Sequence, residues 1–234
     1  MKLKLPVIFI VYFIVMSTVL SIAVAGSRVV TTMAESRPVD RQNIIVIDAG
    51  HGGMDGGATS CNGIPESEIN LSIAIRLNDL MHLLGFETIM IRTTDTSVHT
   101  EGSTIASMKI SDLKERTRIV NETSGALLLS IHQNTFSDSQ YWGGQVFYGK
   151  NNISQQLAEQ VQNALVENLN PGSNRKAKKA DKVYLMEHIQ KPGILIECGF
   201  LSNPKEEYRL RSKAYQNQLC CVIAATVSNF LSDT

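Results

Sequence analysis

From Asn43 onward, short apolar runs alternate with longer stretches whose apolar residues recur at helical spacing, and this alternation restricts the fold more than any other feature of the chain. Asn43 to Asp48 reads as a buried strand. Ser67 to Leu84 then places Ile69, Ile73, Leu77, Leu80 and Leu84 on one helical face until Gly85 stops it. Glu87 to Arg92 reads as a second strand and Ser111 to Ser124 as a capped helix. Ala126 to His132, with Leu127, Leu128 and Leu129 in succession, suits a strand covered on both faces. Gly144 to Tyr148 is a further strand, and Ile153, Leu157, Val161 and Leu165 mark a helix. Val183 to Met186 and Ile194 to Glu197 read as strands. Asn203-Pro204-Lys205-Glu206 joins a capping residue, proline at the first helical position and a reciprocating glutamate, so a helix starts there. Tyr215, Leu219, Val222, Ile223, Thr226, Val227 and Phe230 form the apolar face of a last helix. Strands alternating with helices predict a single α/β domain: a mainly parallel twisted sheet of about six strands with helices on both faces.

The first 25 residues follow another rule. Lys2 and Lys4 precede a run from Leu5 to Ala25 without a charge, which ends in Ala23-Val24-Ala25. Basic flank, apolar run and small-x-small ending describe a segment that exports the chain. Its length also suits a retained anchor, and cleavage after Ala25 is the favoured reading. The protein is therefore expected to be secreted or membrane-anchored, with its catalytic part outside the cytoplasm. Residues 26–42 are polar and contain Pro38, which reads as a linker, leaving 43–234 for the catalytic domain. The chain has 22 basic and 22 acidic side chains; removing residues 1–25 deletes two lysines and no acid and leaves a formal charge of −2. That excludes an electrostatic case for nucleic acid. A hydrophobic content of 43% excludes a disordered chain, and 4 cysteines are too few for a disulfide-framed miniprotein.

In sheets of this kind, sites form at the carboxyl ends of the strands. The first strand ends in Asp48-Ala49-Gly50-His51-Gly52-Gly53, and the strand near residue 130 ends in Ser130-Ile131-His132-Gln133-Asn134. Either histidine alone is more often a satisfied polar residue. Two at equivalent strand ends, one among glycines that let backbone approach a ligand, favour a metal. A catalytic zinc needs three protein ligands, so a carboxylate is expected on the same rim. Glu66 and Glu68 both lie at a helix start, where the dipole favours anions, and the pattern alone leaves both open. With Ser67 as N-cap, Glu66 precedes the helix and is the better placed of the two. Glu197 closes the apolar run Gly193-Ile194-Leu195-Ile196, where an unpaired carboxylate costs several kcal/mol unless something compensates it. It reads as the general base of a metal-assisted amide hydrolysis.

Cys198 offers a rival, a thiolate nucleophile paired with His132. Period-two alternation opposes it, since Cys198 points away from the face that Glu197 occupies. The spacings of Cys61, Cys198, Cys220 and Cys221 make no framework, and mostly free thiols are expected. Arg175, Lys176, Lys178, Lys179, Lys182 and Lys191 form a basic run just upstream of the last strand. A solvated loop is the ordinary explanation; a rim that meets substrate carboxylates is the functional one, with Arg175 and Asn134 as candidate substrate contacts. His82, His99 and His188 read as structural or surface residues.

Together these residues resemble the zinc-dependent N-acetylmuramoyl-L-alanine amidases of the Amidase_3 type. The resemblance rests on Ile47 to Gly53, Glu66 to Leu71, Leu113 with Arg116, Ser130 to Asn134 and Leu195 to Asn203, in that order along the chain. It implies one catalytic zinc on His51, Glu66 and His132, with Glu197 catalytic, and cleavage of the amide between N-acetylmuramic acid and L-alanine of the peptidoglycan stem. Gln133 and Thr135 stand where small residues are usual. Asn174 to Lys178, Tyr184 to Met186 and Lys191 to Phe200 look like the germination-specific branch of spore formers. That likeness implies a role in spore cortex towards muramic-δ-lactam, with the enzyme between the forespore membranes. The sequence shows no repeated wall-binding module, so the domain is expected to reach its substrate through its own membrane segment or through an accessory membrane-associated partner. Two competing functions are a cysteine peptidase using Cys198 and a non-catalytic wall-binding regulator on the same fold. Retention of all four zinc and base residues opposes the regulator.

Overall fold

The computed structural model describes residues 43–233; the export segment and linker expected at 1–25 and 26–42 lie outside them. Six strands, β1 (Ile44–Ala49), β2 (Glu87–Met90), β3 (Ala126–Asn134), β4 (Gln145–Tyr148), β5 (Lys178–Lys179) and β6 (Gly193–Phe200), make one sheet in the order β2-β1-β3-β6-β4-β5. All pairings are parallel except β4 with β6. The helices are α1 (Glu66–Leu83), α2 (Ile105–Glu122), α3 (Asn152–Asn168), α4 (Tyr184–His188), α5 (Pro204–Arg211) and α6 (Lys213–Ser232). α1 and α3 both pack on α6, and α2 packs on α4. Strand alternation divides the core accordingly. Val46, Leu128 and Leu195 meet Val120 of α2 and Leu185 and Met186 of α4. Ile45, Ile47, Leu127, Leu129, Ile131, Ile194 and Ile196 point to the opposite face and are likewise buried. The expected α/β sheet with helices on both faces is what forms. Among the described residues, no helix is long and apolar enough to cross a membrane.

Three local expectations are corrected. Val183 to Met186 is not a strand: Tyr184–His188 is helical, and the sixth strand is Lys178–Lys179. The Lys182 N–H donates to Glu187 Oε1 at 2.8 Å, closing the turn into this helix, and a four-residue apolar run carries too little periodicity to exclude it. The helix expected from Ser111 begins at Ile105, where Thr104 and Ser107 form a reciprocal capping box. Ser111 caps a loop instead, its Oγ accepting from the N–H groups of Thr100 and Glu101. The third concerns α1, whose first residue is Glu66 with Pro65 at the N-cap position, so Ser67 is not the cap.

Strand order reverses between β1 and β3, since the chain passes from β1 outward to β2 and returns to place β3 on the other side. Such a reversal opens a crevice beyond the carboxyl ends of the two strands. The residues just after β1 and at the end of β3 border that crevice.

Candidate active site

His51 stands two residues beyond the end of β1, after Gly50, and its backbone takes a left-handed φ of 62°. A non-glycine residue rarely adopts this conformation, which costs about 1–3 kcal/mol unless its surroundings impose it. Two arginines impose it by holding successive carbonyls. Arg116 Nη1 donates to Ala49 O at 3.0 Å and Nη2 to His51 O at 2.7 Å. Arg92 Nε donates to Ala49 O at 2.8 Å and its Nη2 to Gly50 O at 3.0 Å. Asp48 and Asp112 bracket the buried Arg116, and Ser130 Oγ donates to the second Asp48 oxygen at 2.7 Å.

His132 lies near the end of β3 with its ring close against Gly50, where a Cβ would stand 2.2 Å from Nε2. Gly57 is restricted in the same way, since a Cβ there would lie 2.7 Å from both Glu66 Oε2 and the His51 ring. These two glycines admit the rings and the carboxylate to one point. There, His51 Nε2 is 3.4 Å from Glu66 Oε2, and His132 Nδ1 is 3.1 Å from Glu66 Oε1. One donor atom from each of the three residues lies within 4.8 Å of the others.

The Glu66 carboxylate is held firmly. Oε1 accepts from Asn70 Nδ2 at 3.1 Å and from the Gln133 N–H at 3.0 Å, and Oε2 accepts from the Ala58 N–H at 2.9 Å. Burial raises its carboxyl, but the two histidines outweigh that and hold it far below the usual carboxylate range. Asp55 secures His51 from behind, with Oδ2 2.9 Å from Nδ1, and is itself bridged by Lys109 at 3.1 Å. With Nδ1–H given to Asp55, Nε2 keeps its lone pair towards Glu66. Burial disfavours the charged imidazole of His51, and attraction to Glu66 and Asp55 overcomes this and raises its pKa.

Glu197 is the register partner of His132 on β6, so both side chains leave the sheet on the same face. Beyond it β6 carries one extra residue against β3, a bulge between the pairs His132–Glu197 and Asn134–Phe200. Although Glu197 is partly exposed as a residue, its Oε2 is buried and has no hydrogen-bond partner among the described residues. Burial pushes its carboxyl up to about 7; the negative charge of Glu66 adds to this, whereas His132 and His51 pull it down. An orphaned buried carboxylate oxygen beside two imidazoles and a second carboxylate fits a cation-centred site. The donor set, two nitrogens and one carboxylate, suits zinc with an open position.

Cys198 faces the other way, as alternation requires. It is 1% exposed, its Sγ lies 3.6 Å from Ile196 O, and burial keeps the thiol well above its ordinary pKa. A thiol in that state supplies little thiolate. All four cysteines are free. Asn134 ends β3 half-buried, its carbonyl accepting from the Leu201 N–H at 2.8 Å. Arg175 lies not among the histidines but in an adjoining groove, its guanidinium 4.8 Å from the Phe200 ring centroid. Sequence reasoning missed Asp55, Asn70 and Arg92. Asp55 had a local signal, standing one turn after His51, whereas Arg92 reaches back across 42 residues to the Gly50 carbonyl.

A family model described as N-acetylmuramoyl-L-alanine amidase, of the Amidase_3 type, matches residues 45–229. The chain belongs to this family. The germination-specific N-acetylmuramoyl-L-alanine amidase of Bacillus subtilis (strain 168) is 36% identical over 192 residues, covering 81% of this chain and 80% of that protein. The CwlD amidase of Clostridioides difficile, solved in complex with the GerS lipoprotein, superposes with a TM-score of 0.79 at 35% identity, over 82% of this chain and all of that one. An N-acetylmuramoyl-L-alanine amidase from Clostridium difficile 630 gives 0.71 at 29% identity, over 83% of this chain and 100% of that one. The amidase hydrolyses the bond between N-acetylmuramic acid and the L-alanine that begins the stem peptide.

Proposed function

We propose that this amidase is a zinc enzyme of the spore cortex, with His51, Glu66 and His132 as ligands and Glu197 as general base. The observation that carries the reading is the convergence of those three side chains at the reversal of strand order, with the unpartnered Glu197 oxygen beside them. Bound zinc would polarise the amide carbonyl and make water nucleophilic at neutral pH. Glu197 takes the proton of the attacking water and delivers it to the departing alanine nitrogen, a role open to a carboxylate whose Oε2 has no hydrogen-bond partner among the described residues. Its register pairing with His132 puts the carboxylate on the face of the sheet that the histidine ring occupies. The products are a muramoyl residue with a free lactyl carboxylate and a peptide with a free amino terminus.

Export of the catalytic domain behind residues 1–25 fits a substrate outside the cytoplasm, and the likeness to a germination-specific enzyme supports cortex processing towards muramic-δ-lactam. An accessory membrane-associated partner is part of the proposal, supported by the similar CwlD amidase having been solved with a lipoprotein. Digestion of purified cortex peptidoglycan tests the reading directly. Peptides beginning with L-alanine are expected to appear with zinc and to vanish with a chelator, in the native chain and in Cys198→Ala alike. Chelator-insensitive release that is lost in Cys198→Ala would replace the zinc mechanism with a cysteine one.

Asp55 supplies a second measurement. A carboxylate that orients a metal-binding histidine typically accounts for 10- to 100-fold in affinity. Asp55→Ala is therefore expected to weaken zinc binding by about that factor in competition with a chromogenic chelator, while Asp55→Asn, which still accepts from Nδ1–H, loses less. Equal losses in the two variants would remove the orienting role.

A further inference from the structure

A groove of about 760 Å³ lies beside the reaction centre, and Gln145 in its wall is the register partner of Glu197 on β4. Its cationic side chains come from the basic run that precedes β6. Arg175 is fixed on two sides: its guanidinium covers the Phe200 ring, and its Nε donates to Trp142 O at 3.0 Å. Among the described residues neither Nη group has a hydrogen bond or ion pair, so a preset fork faces the groove. Lys176 and Lys178 line the same space. The nearby acid, Glu206, is already committed, since one of its carboxylate oxygens accepts from the Gly143 N–H at 2.7 Å and the Phe200 N–H at 3.0 Å. Its charge offsets that of Arg175 only in part and through space, and with Lys176 and Lys178 added the groove keeps an excess of positive charge.

The reaction presents two halves of substrate at this point, and their charges differ. The lactyl carboxyl of the sugar half is tied up in the scissile amide, so that half is neutral there. The peptide half carries free carboxylates. Phe200, which Arg175 covers, follows Glu197 by three residues, roughly 10 Å of strand at about 3.3 Å per residue, and the bulge shortens this. An extended peptide covers about 7 Å in two residues. We infer, building on the amidase reading, that this groove receives the acidic peptide half of the substrate and that Arg175 pairs with a carboxylate on the second or third residue after the scissile bond. Lys176 and Lys178 add attraction of longer range, and Tyr141 and Trp142, each partly exposed, supply walls for the peptide backbone.

Binding of the released peptide separates this inference from the hydrolytic reading. Titration calorimetry of the full chain, zinc removed, uses a synthetic tripeptide that begins with L-alanine and carries side-chain carboxylates, and the same peptide with those groups as carboxamides. Arg175→Ala is expected to weaken the acidic peptide by about 10- to 100-fold and to leave the amidated one unchanged. Arg175→Lys, which keeps charge but not the fork, falls between, and its retention of any binding shows that the loop still folds. In zinc-loaded enzyme the loss appears in KM rather than kcat. Equal weakening of both peptides, or tight acidic-peptide binding by Arg175→Ala, overturns the inference. Failure of the native enzyme to release any peptide overturns the amidase reading instead, since the calorimetry does not depend on turnover.

Discussion

Glu197→Gln is expected to lower the rate of peptide release from peptidoglycan by about 10²- to 10⁴-fold with zinc content unchanged. The substitution keeps the shape of the side chain and removes its capacity to take a proton. Initial rates with metal analysis on the same sample decide the matter, and a full rate with full zinc would remove Glu197 from the base role. The same variant has a pH signature in the metal-free protein. Burial raises the Glu197 carboxyl from an ordinary 4.5 to about 7, so between those values the native state holds a proton that the unfolded chain has released. Stability from this group is therefore complete below pH 4.5 and declines as pH rises towards 7. Glu197→Gln escapes the decline, so it should gain up to about 3 kcal/mol over the native sequence above pH 7 and nothing below 4.5.

The second large effect concerns stability. Arg116 is 2% exposed and Asp48 1%, and burial would raise the Asp48 carboxyl if Arg116 did not hold it below its ordinary value. Arg116→Ala leaves that carboxylate buried without a cation and frees the carbonyls of Ala49 and His51. A loss of about 3–5 kcal/mol is expected in urea unfolding. Lysine should not restore it, because a single ammonium cannot reach two carboxylates and two carbonyls with the geometry of a guanidinium. A loss below about 1 kcal/mol would show that the turn holds itself.

The same cluster marks where reading the sequence stops. His51 and His132 were legible because each stands at the carboxyl end of a clear apolar run, and strand ends are where such sheets place ligands. Glu197 was legible because a charge closing a buried run demands compensation. Glu66 was selected on the premise that Ser67 caps the helix, whereas the helix begins at Glu66 itself; its orientation comes from Ala58, Asn70 and Gln133. Those bonds join four separate positions, and no local pattern announces them. Arg92 was hidden for the same reason, as it looks like any polar residue until the fold carries it back to the turn after β1, and Arg116 entered only through the family resemblance, without a role. The exchange of Val183–Met186 for Lys178–Lys179 as the sixth strand shows the opposite case, where two exposed lysines have no apolar signature to read.

That last strand has a consequence beyond catalysis. β5 closes one end of the sheet, and a terminal strand offers unpaired backbone groups on which another chain's strand can grow. A chain with a formal charge of zero, or −2 without residues 1–25, has little global repulsion to prevent such growth. Two exposed lysines, continuing the basic run from Arg175, put repulsion between copies at the vulnerable edge itself. On the proposed reading of the groove the segment would carry two duties, substrate capture and protection against self-association, and exchanging its cations to alter specificity would also remove a guard against aggregation.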